Sequence, residues 1–204
     1  MRQKIGIIFI CLGLLSIAGA IGLKYYNAWD DKRAAESSAV LTDMIQENIL
    51  DYIETNQNSE EEDNIADDDN EDTENIPVVY IDNNTYLGIL KIPALGLALP
   101  VNSEWSYAKL KNSPCRFSGS INKSLTVAAH NYKNHFGNLT ALIPGDDVIL
   151  TDVNGREHKY KVAESEPVRA TAMGTMTVTA YPLTLFTCNY NGSARFAVRC
   201  SAAE

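Results

Sequence analysis

The sequence has no excess of basic residues, because 17 Lys and Arg stand against 26 Asp and Glu and give a net charge of −9 at pH 7. Residues 1–77 contain 5 basic and 17 acidic residues, whereas residues 78–204 contain 12 and 9. The acidity therefore belongs to the N-terminal part, and no basic patch indicates a nucleic-acid partner. A length of 204 residues is typical of one domain with extensions.

Cysteine is scarce, and no C-x-x-C or H-E-x-x-H spacing is present. The absence of such paired ligands disfavours a zinc site built from His130, His135 and a cysteine. Cys11 lies in an apolar run, so an odd number of cysteines remains, namely Cys115, Cys188 and Cys200. In an oxidising compartment this number suggests a lone working thiol, or no pairing at all.

An uncharged apolar run, residues 5–23, follows a short head at residues 1–4. At about 1.5 Å per residue the run reaches about 28 Å, which is enough to cross a bilayer. The apolar regions of signal peptides are usually shorter, about 7–15 residues, so the run predicts an uncleaved transmembrane anchor. A cleaved signal peptide, with a small-residue site at Ala18-Gly19-Ala20, is the alternative. The long C-terminal portion is then expected outside the cell.

Residues 24–57 predict an amphipathic stalk helix, because apolar side chains recur there at helical spacing. Such a helix can serve as a stalk, or lie against the membrane or a partner. Residues 58–77 are mostly acidic, which predicts a disordered linker. The carboxylates of this linker do not follow the loop spacing of an EF-hand. The apolar positions of the helix are Leu41, Met44, Ile45, Ile49, Tyr52 and Ile53.

Short β-rich runs separated by turn signals begin at about residue 78. Many short strands at such spacing indicate a barrel or a sandwich, so residues 78–204 are predicted to form an all-β domain. The predicted strands are 85–92, 95–101, 124–129, 147–152, 158–163, 183–188 and 194–200.

The last two predicted strands flank Asn191-Gly192, a strong signal for a two-residue hairpin turn. With these residues at the turn, Cys188 lies opposite Arg195, with Cβ atoms about 4.5–5.5 Å apart on one face of the sheet. In the same register Cys200 lies opposite Leu183 and faces the other way, so a disulfide between Cys188 and Cys200 is not expected.

His130 ends the apolar run "VAAH", at the point where side chains pass from core to rim. An imidazole there can accept a proton from a thiol and later donate one to a leaving amine. Taken singly, Cys188 also fits a buried small apolar residue, and Arg195 an exposed charge on a barrel. His135, in the loop-like "NHFGN", is the alternative histidine, and His158 is predicted to be a solvated surface residue.

Four segments together resemble the sortase family: "TLFTC" at 184–188, "RFAVR" at 195–199, "VAAHNYKNHFGNL" at 127–139 and "YLGILKIPALGLALPV" at 86–101. The resemblance covers about residues 80–200, with His, Cys and Arg in the family's order. It implies an all-β fold, the eight-stranded sortase-type β-barrel with short helices, for a catalytic domain at 78–204. A membrane span and linker also fit these cell-surface enzymes of Gram-positive bacteria.

The resemblance implies a membrane-anchored cysteine transpeptidase that cleaves an LPxTG-like sorting signal through a thioacyl-enzyme. Cys188 would be the nucleophile, His130 the general acid and base, and Arg195 the residue that binds substrate and stabilises the oxyanion. Thr187 would assist in substrate binding, and Arg199 is the second candidate for the arginine role. The implied partners are surface proteins with sorting signals, the membrane, and an amine acceptor on a peptidoglycan precursor or a pilin lysine.

Two other functions stay open, a surface cysteine protease of the same fold with water as acceptor, and a catalytically silent stalked binding module. No cofactor is expected. Calcium modulates some relatives, and four carboxylates could supply oxygen ligands, although scattered surface acids explain them equally well. The sortase subclass is open, because residues 76–90 lack the Asp-Pro-aromatic lid of many pilus-assembling members. The four carboxylates are Asp146, Asp147, Glu164 and Glu166.

Overall fold

A computed structural model of the chain describes residues 2–59, 76–169, 171, 174, 180–188 and 194–203. Most of the predicted acidic linker, residues 60–75, lies outside these ranges, and so does the predicted Asn191-Gly192 turn. The chain divides into two units, of which one ends at Arg33 and the other begins at Ala34.

Helix α1 runs without a break from Arg2 to Ser59. Apolar side chains in its first part are exposed, among them Phe9, Leu15 and Leu23. Among the described residues this is the one helix long and apolar enough to cross a membrane, and a signal sequence near the N-terminus would meet the same criteria.

Eight strands close a β-barrel, as the sequence predicted. Their order around the barrel is β2-β3-β4-β5-β8-β9-β7-β6, and β6 pairs again with β2. A further short strand, β1, adds to β2. The strands are β1 Val79–Ile81, β2 Asn84–Ile92, β3 Leu97–Asn102, β4 Cys115–Ser120, β5 Lys123–Ala129, β6 Asp147–Asp152, β7 Glu157–Arg169, β8 Leu183–Cys188 and β9 Ala194–Ala202. The remaining short elements are helix α2, Tyr107–Leu110, and 3-10 turns at Pro93–Leu95 and Leu139–Ala141.

Successive side chains of a strand point to opposite faces of the sheet, and strands β5, β8 and β9 contribute buried apolar side chains to both faces. One face lines the barrel interior, where Leu125, Val127, Leu185 and Val198 are fully buried. The outer face carries a second cluster of buried apolar side chains: Leu110, Cys115, Ala128, Val168, Phe186 and Ala197.

The second part of α1 packs against the outside of the barrel. Leu41, Ile45 and Ile49 recur every four residues, so they share one face of the helix and are buried. This face covers apolar side chains of β1 and β2, namely Ile81, Tyr86 and Ile89. Of the other predicted apolar positions, Ile53 packs against this cluster, whereas Met44 and Tyr52 are exposed. The protein's own barrel therefore covers part of the apolar face that the sequence predicted. The predicted domain boundaries stay predictions.

Candidate active site

His130, Cys188 and Arg195 meet across three neighbouring strands. Cys188 ends β8 and pairs directly with Arg195 on β9, the register that the sequence predicted. Strand β5 runs parallel to β8 and pairs Ala129 with Thr187. His130 is the residue after Ala129, and Cys188 is the residue after Thr187. The histidine is therefore expected at the level of the cysteine, one residue beyond the last pair of the two strands. Neighbouring strands are about 4.8 Å apart, which keeps all three residues within one small patch.

Cys188 and Arg195 lie on the outer face of the barrel. Side chains alternate along a strand, so Cys188 shares a face with Phe186, and Arg195 with Ala197, both members of the outer cluster. Thr187 lies on the other face, between Ala129, a core residue, and Phe196, which packs against the core. The Thr187 hydroxyl is buried and has no hydrogen-bond partner among the described residues. A contact between Thr187 and a substrate would therefore use its main chain.

The thiols of the barrel differ in exposure. Cys188 is half-buried, whereas Cys115 and Cys200 are fully buried. Burial disfavours the charged thiolate and raises the pKa of both Cys115 and Cys200 to about 12. Cys188 is thus the barrel thiol that a reagent or a substrate can reach. Cys200 pairs with Leu183, as predicted, and lies in the interior cluster, away from Cys188.

The guanidinium of Arg195 lies over the ring of Phe186, with Cζ 5.7 Å from the ring centroid. From Phe186 an aromatic row extends along the outer face through Phe117 and Trp105 to Tyr107. Successive ring centroids are 5.3, 5.7 and 4.9 Å apart, in edge-to-face arrangements typical of aromatic pairs. The sequence did not indicate this row, because Phe117 lies on β4, a strand absent from the predicted set.

Arg199, the second candidate for the arginine role, has other partners. Its Nη2 lies 2.6 Å from Glu166 Oε1, and its Nε lies 3.4 Å from Glu164 Oε1. The guanidinium also lies over the ring of Tyr181, 6.0 Å from its centroid. These contacts hold the buried Arg199 side chain to strand β7. Arg195 is the arginine at the level of Cys188.

The other two histidines have side-chain partners of their own. His135 belongs to the loop after β5, as predicted, but its side chain is fully buried. His158 is half-buried and lies 2.9 Å from Asp152 Oδ2, so the prediction of a solvated residue was wrong. The Asp152 carboxylate, which also accepts from the main-chain N–H groups of Asn154 and Arg156, fixes His158 at the β6–β7 turn.

No cluster of three or more His, Cys, Asp or Glu side chains that could hold a metal ion occurs within the described ranges. The carboxylates considered as calcium ligands have other partners. Asp147 binds Lys161 and Asp146 accepts from the Ile143 N–H. Glu164 and Glu166 bind Arg199.

The sequence matches a family model described as the sortase domain over residues 90–203. This range covers more than half of the chain and contains His130, Cys188 and Arg195. No curated protein matches the chain.

Solved structures of sortases resemble this fold. Sortase C from Clostridium perfringens SM101 is 22% identical with a TM-score of 0.52, over 80% of this chain and 89% of that chain. A sortase C from Streptococcus pneumoniae is 22% identical with a TM-score of 0.52, over 58% and 69%. Sortase A from Listeria monocytogenes is 20% identical with a TM-score of 0.53, over 58% and 88%. At these identities the structures support the fold, and matches to both classes leave the subclass open.

Proposed function

We propose that this protein cleaves an LPxTG-like sorting signal of surface proteins and transfers the acyl fragment to an amine. The chain belongs to the sortase family of cysteine transpeptidases. The observation that carries the proposal is the meeting of His130, Cys188 and Arg195 at one level of strands β5, β8 and β9. The residue roles were first inferred from sequence, and this placement supports them.

Cys188 is the nucleophile, and its thiolate attacks the carbonyl carbon of the scissile peptide bond. An imidazolium at His130 and the guanidinium of Arg195 place positive charge at the level of the attacking sulfur, where it stabilises a thiolate. The tetrahedral intermediate collapses as His130 donates its proton to the departing amine nitrogen. A thioester between Cys188 and the acyl fragment remains.

The second half of the reaction reverses these roles. An incoming amine attacks the thioester carbon, and the neutral His130 takes up the proton that the amine loses. The Cys188 thiolate leaves, and a new amide bond is formed. Arg195 provides a positive charge for the oxyanion in both tetrahedral intermediates, and one such donor typically contributes about 2.7–4 kcal/mol.

The aromatic row beside Arg195 can bind the apolar part of a peptide. Trp105 and Tyr107, at its outer end, are 38% and 71% exposed, so the row offers apolar surface continuous with the site. The pneumococcal relative is described in terms of pilin substrate specificity. The acceptor amine of this chain is accordingly proposed to be that of a peptidoglycan precursor or of a pilin lysine.

The first part of α1 is proposed to anchor the enzyme. Its exposed apolar side chains suit a lipid environment, and a single span would hold the barrel at the outer surface of the cell. Carbonate extraction of membranes tests the anchor, and protease accessibility of the barrel in intact cells tests its orientation. Release of the chain by carbonate would contradict the anchor.

The function is tested with full-length protein in detergent micelles and a library of sorting-signal peptides. Intact-mass spectrometry is expected to detect an acyl adduct that Cys188→Ala abolishes and Cys200→Ala retains. An added amine is expected to divert the product from hydrolysis to ligation. Hydrolysis that no amine diverts would indicate a protease, and an alkylatable Cys188 without an adduct from any peptide would indicate a binding module.

A further inference from the structure

The buried hydroxyl of Ser38 connects helix α1 to the loop that carries His130. Ser38 is 2% exposed, and its Oγ lies 2.7 Å from the carbonyl oxygen of Asn112 and 3.0 Å from Nε2 of His135. Asn112 belongs to the segment between α2 and β4, and His135 to the loop after β5. One serine therefore connects the helix to two segments beside the proposed active site.

The two contacts fix the tautomer of His135. A hydroxyl has one proton, and the Asn112 carbonyl can only accept, so Ser38 donates that proton to Asn112. Nε2 of His135 then carries the hydrogen and donates it to helix α1, where both the Ser38 hydroxyl and the Ala34 main chain are its partners. Nδ1 is buried without a hydrogen-bond partner among the described residues, which agrees with an unprotonated nitrogen there. His135 is a neutral imidazole whose Nε2–H is held by helix α1.

His135 and His130 belong to one tightly folded loop. The main-chain N–H groups of His135 and Gly137 donate to the Tyr132 carbonyl at 3.0 and 2.9 Å, and the Phe136 N–H donates to the His130 carbonyl at 3.1 Å. The Tyr132 ring lies near both imidazoles, with centroids 4.9 Å from His130 and 5.5 Å from His135. A Cβ on Gly137 would come within 2.6 Å of the Asn131 carbonyl oxygen, so the loop closes only with glycine there.

The neutral state of His135 also suits the site. Burial and, to a smaller extent, the charge of His130 lower the pKa of His135 to about 4, against a hydrogen bond to the Ala34 main chain that raises it. At neutral pH the loop therefore brings no second positive charge near His130. Because His135 is neutral, it does not repel the imidazolium that the proposed reaction needs at His130.

We propose that Ser38 and His135 are positioning residues for His130, so that helix α1 holds the catalytic histidine at the level of Cys188. This inference rests on the proposed role of His130. Displacement of that loop removes the imidazolium from beside the thiol, so the Cys188 thiolate loses a neighbouring positive charge that stabilises it. It also lowers turnover with little effect on substrate binding, because neither Ser38 nor His135 belongs to the aromatic row that is proposed to bind the peptide.

The test measures alkylation of Cys188 by iodoacetamide as a function of pH, with full-length protein in detergent micelles. Trypsin separates the four cysteines into different peptides, and the peptide that ends at Arg195 contains only Cys188. The charged groups placed at the level of the thiol are Arg195 on β9 and His130 after β5. His130→Ala therefore sets the shift expected when the imidazolium is lost.

Ser38→Ala and His135→Leu are each expected to move the alkylation midpoint to higher pH by at least half of the shift in His130→Ala. In peptide turnover kcat should fall between about tenfold and a hundredfold, as for a misplaced catalytic group, while KM changes less than about twofold. His135→Gln places an amide N–H close to the position of Nε2, so it should retain the midpoint of the native chain. Rescue by glutamine separates positioning from a general loss of packing.

Thr42 supplies a matched control one turn further along α1. Its hydroxyl also donates to the barrel, to the Ala98 carbonyl at 3.4 Å, but it contacts no residue of the His130 loop through that bond. Thr42→Ala should leave both midpoint and kcat unchanged. If Ser38→Ala does not fold, the pair His135→Leu and His135→Gln decides the outcome.

Two results overturn the inference and are distinguishable. A midpoint that shifts in His130→Ala but stays native in Ser38→Ala and His135→Leu removes the positioning role and leaves the proposed function intact. A midpoint that stays native in His130→Ala removes the proposed role of His130, and the inference is lost with it.

Discussion

Cys188 and Arg195 are directly opposed residues of the antiparallel pair β8 and β9, and both side chains lie on the outer face of the barrel. The half-buried thiol and the guanidinium therefore share one patch of the surface. The guanidinium also lies over the ring of Phe186, two residues before Cys188. A positive charge held in this way can stabilise the oxyanion that forms on the carbonyl oxygen when the thiolate attacks the carbonyl carbon.

Replacement of Arg195 by alanine is expected to lower kcat by about 10²–10³ with a smaller change in KM, because an oxyanion donor acts mainly in the transition state. Lysine retains the charge without the planar guanidinium that lies over Phe186, so Arg195→Lys should recover part of the loss. Steady-state kinetics with a cleaved sorting-signal peptide give both constants. An Arg195→Ala enzyme with native kcat would exclude the role.

Arg199→Ala is expected to act on stability instead. Arg199 is 7% exposed and its guanidinium binds Glu164 and Glu166, whose own side chains are about half exposed, so the loss should be about 1–2 kcal/mol of unfolding free energy. Thermal unfolding of Arg199→Ala and Arg195→Ala, measured together, compares the two arginines. A larger loss of stability in Arg195→Ala would contradict the assignment of their roles.

The sequence predicted the arrangement at Cys188 because one turn signal sets the register of a hairpin, and alternation then decides the face of every residue. Strand β4 was missed because "CRFSGS" has little apolar alternation and its pairing with β5 shifts register twice. Strand β7 extends to Arg169, beyond the predicted end at residue 163, because its polar second half pairs with β9 and binds Arg199.

The surface covered by α1 could not be predicted from periodicity. Leu41, Ile45 and Ile49 define an apolar face equally well for a stalk, a membrane helix or a docked helix. The contact between Ser38 and His135 joins residues 97 positions apart, and Ser38 lies outside all four segments that resemble the sortase family. Only the tertiary fold brings them together.

Cys188 is expected to react selectively among the thiols of the barrel. At pH 8 the burial of Cys115 and Cys200, with pKa values raised to about 12, keeps both as unreactive thiols. Peptide mass mapping after brief alkylation should find label at Cys188, and label at the other two only after unfolding. Equal labelling of Cys115 in the folded protein would show that the outer cluster opens readily.

Removal of the docked helix is expected to destabilise the barrel. Leu41, Ile45 and Ile49 are buried, and each side chain of this kind contributes about 1.5–3 kcal/mol. Their sum is comparable with a typical net stability of about 5–15 kcal/mol, so residues 78–204 alone should unfold at much lower urea than residues 34–204. Urea titrations of the two truncated proteins compare them, and equal midpoints would show that the helix contributes little.

Stability should fall in mild acid because of His135. The pKa of this imidazole is lowered from 6.5 to about 4 in the folded protein, so the unfolded chain binds the proton first as the pH falls. The contribution is fully present above pH 6.5 and is lost as the pH falls towards 4, by about 2–3 kcal/mol between pH 7 and 4.5. His135→Gln cannot titrate there, so its unfolding free energy should fall less over the same interval. Parallel pH dependences for the native chain and His135→Gln would mean that the pKa of His135 is the same in the folded and unfolded states.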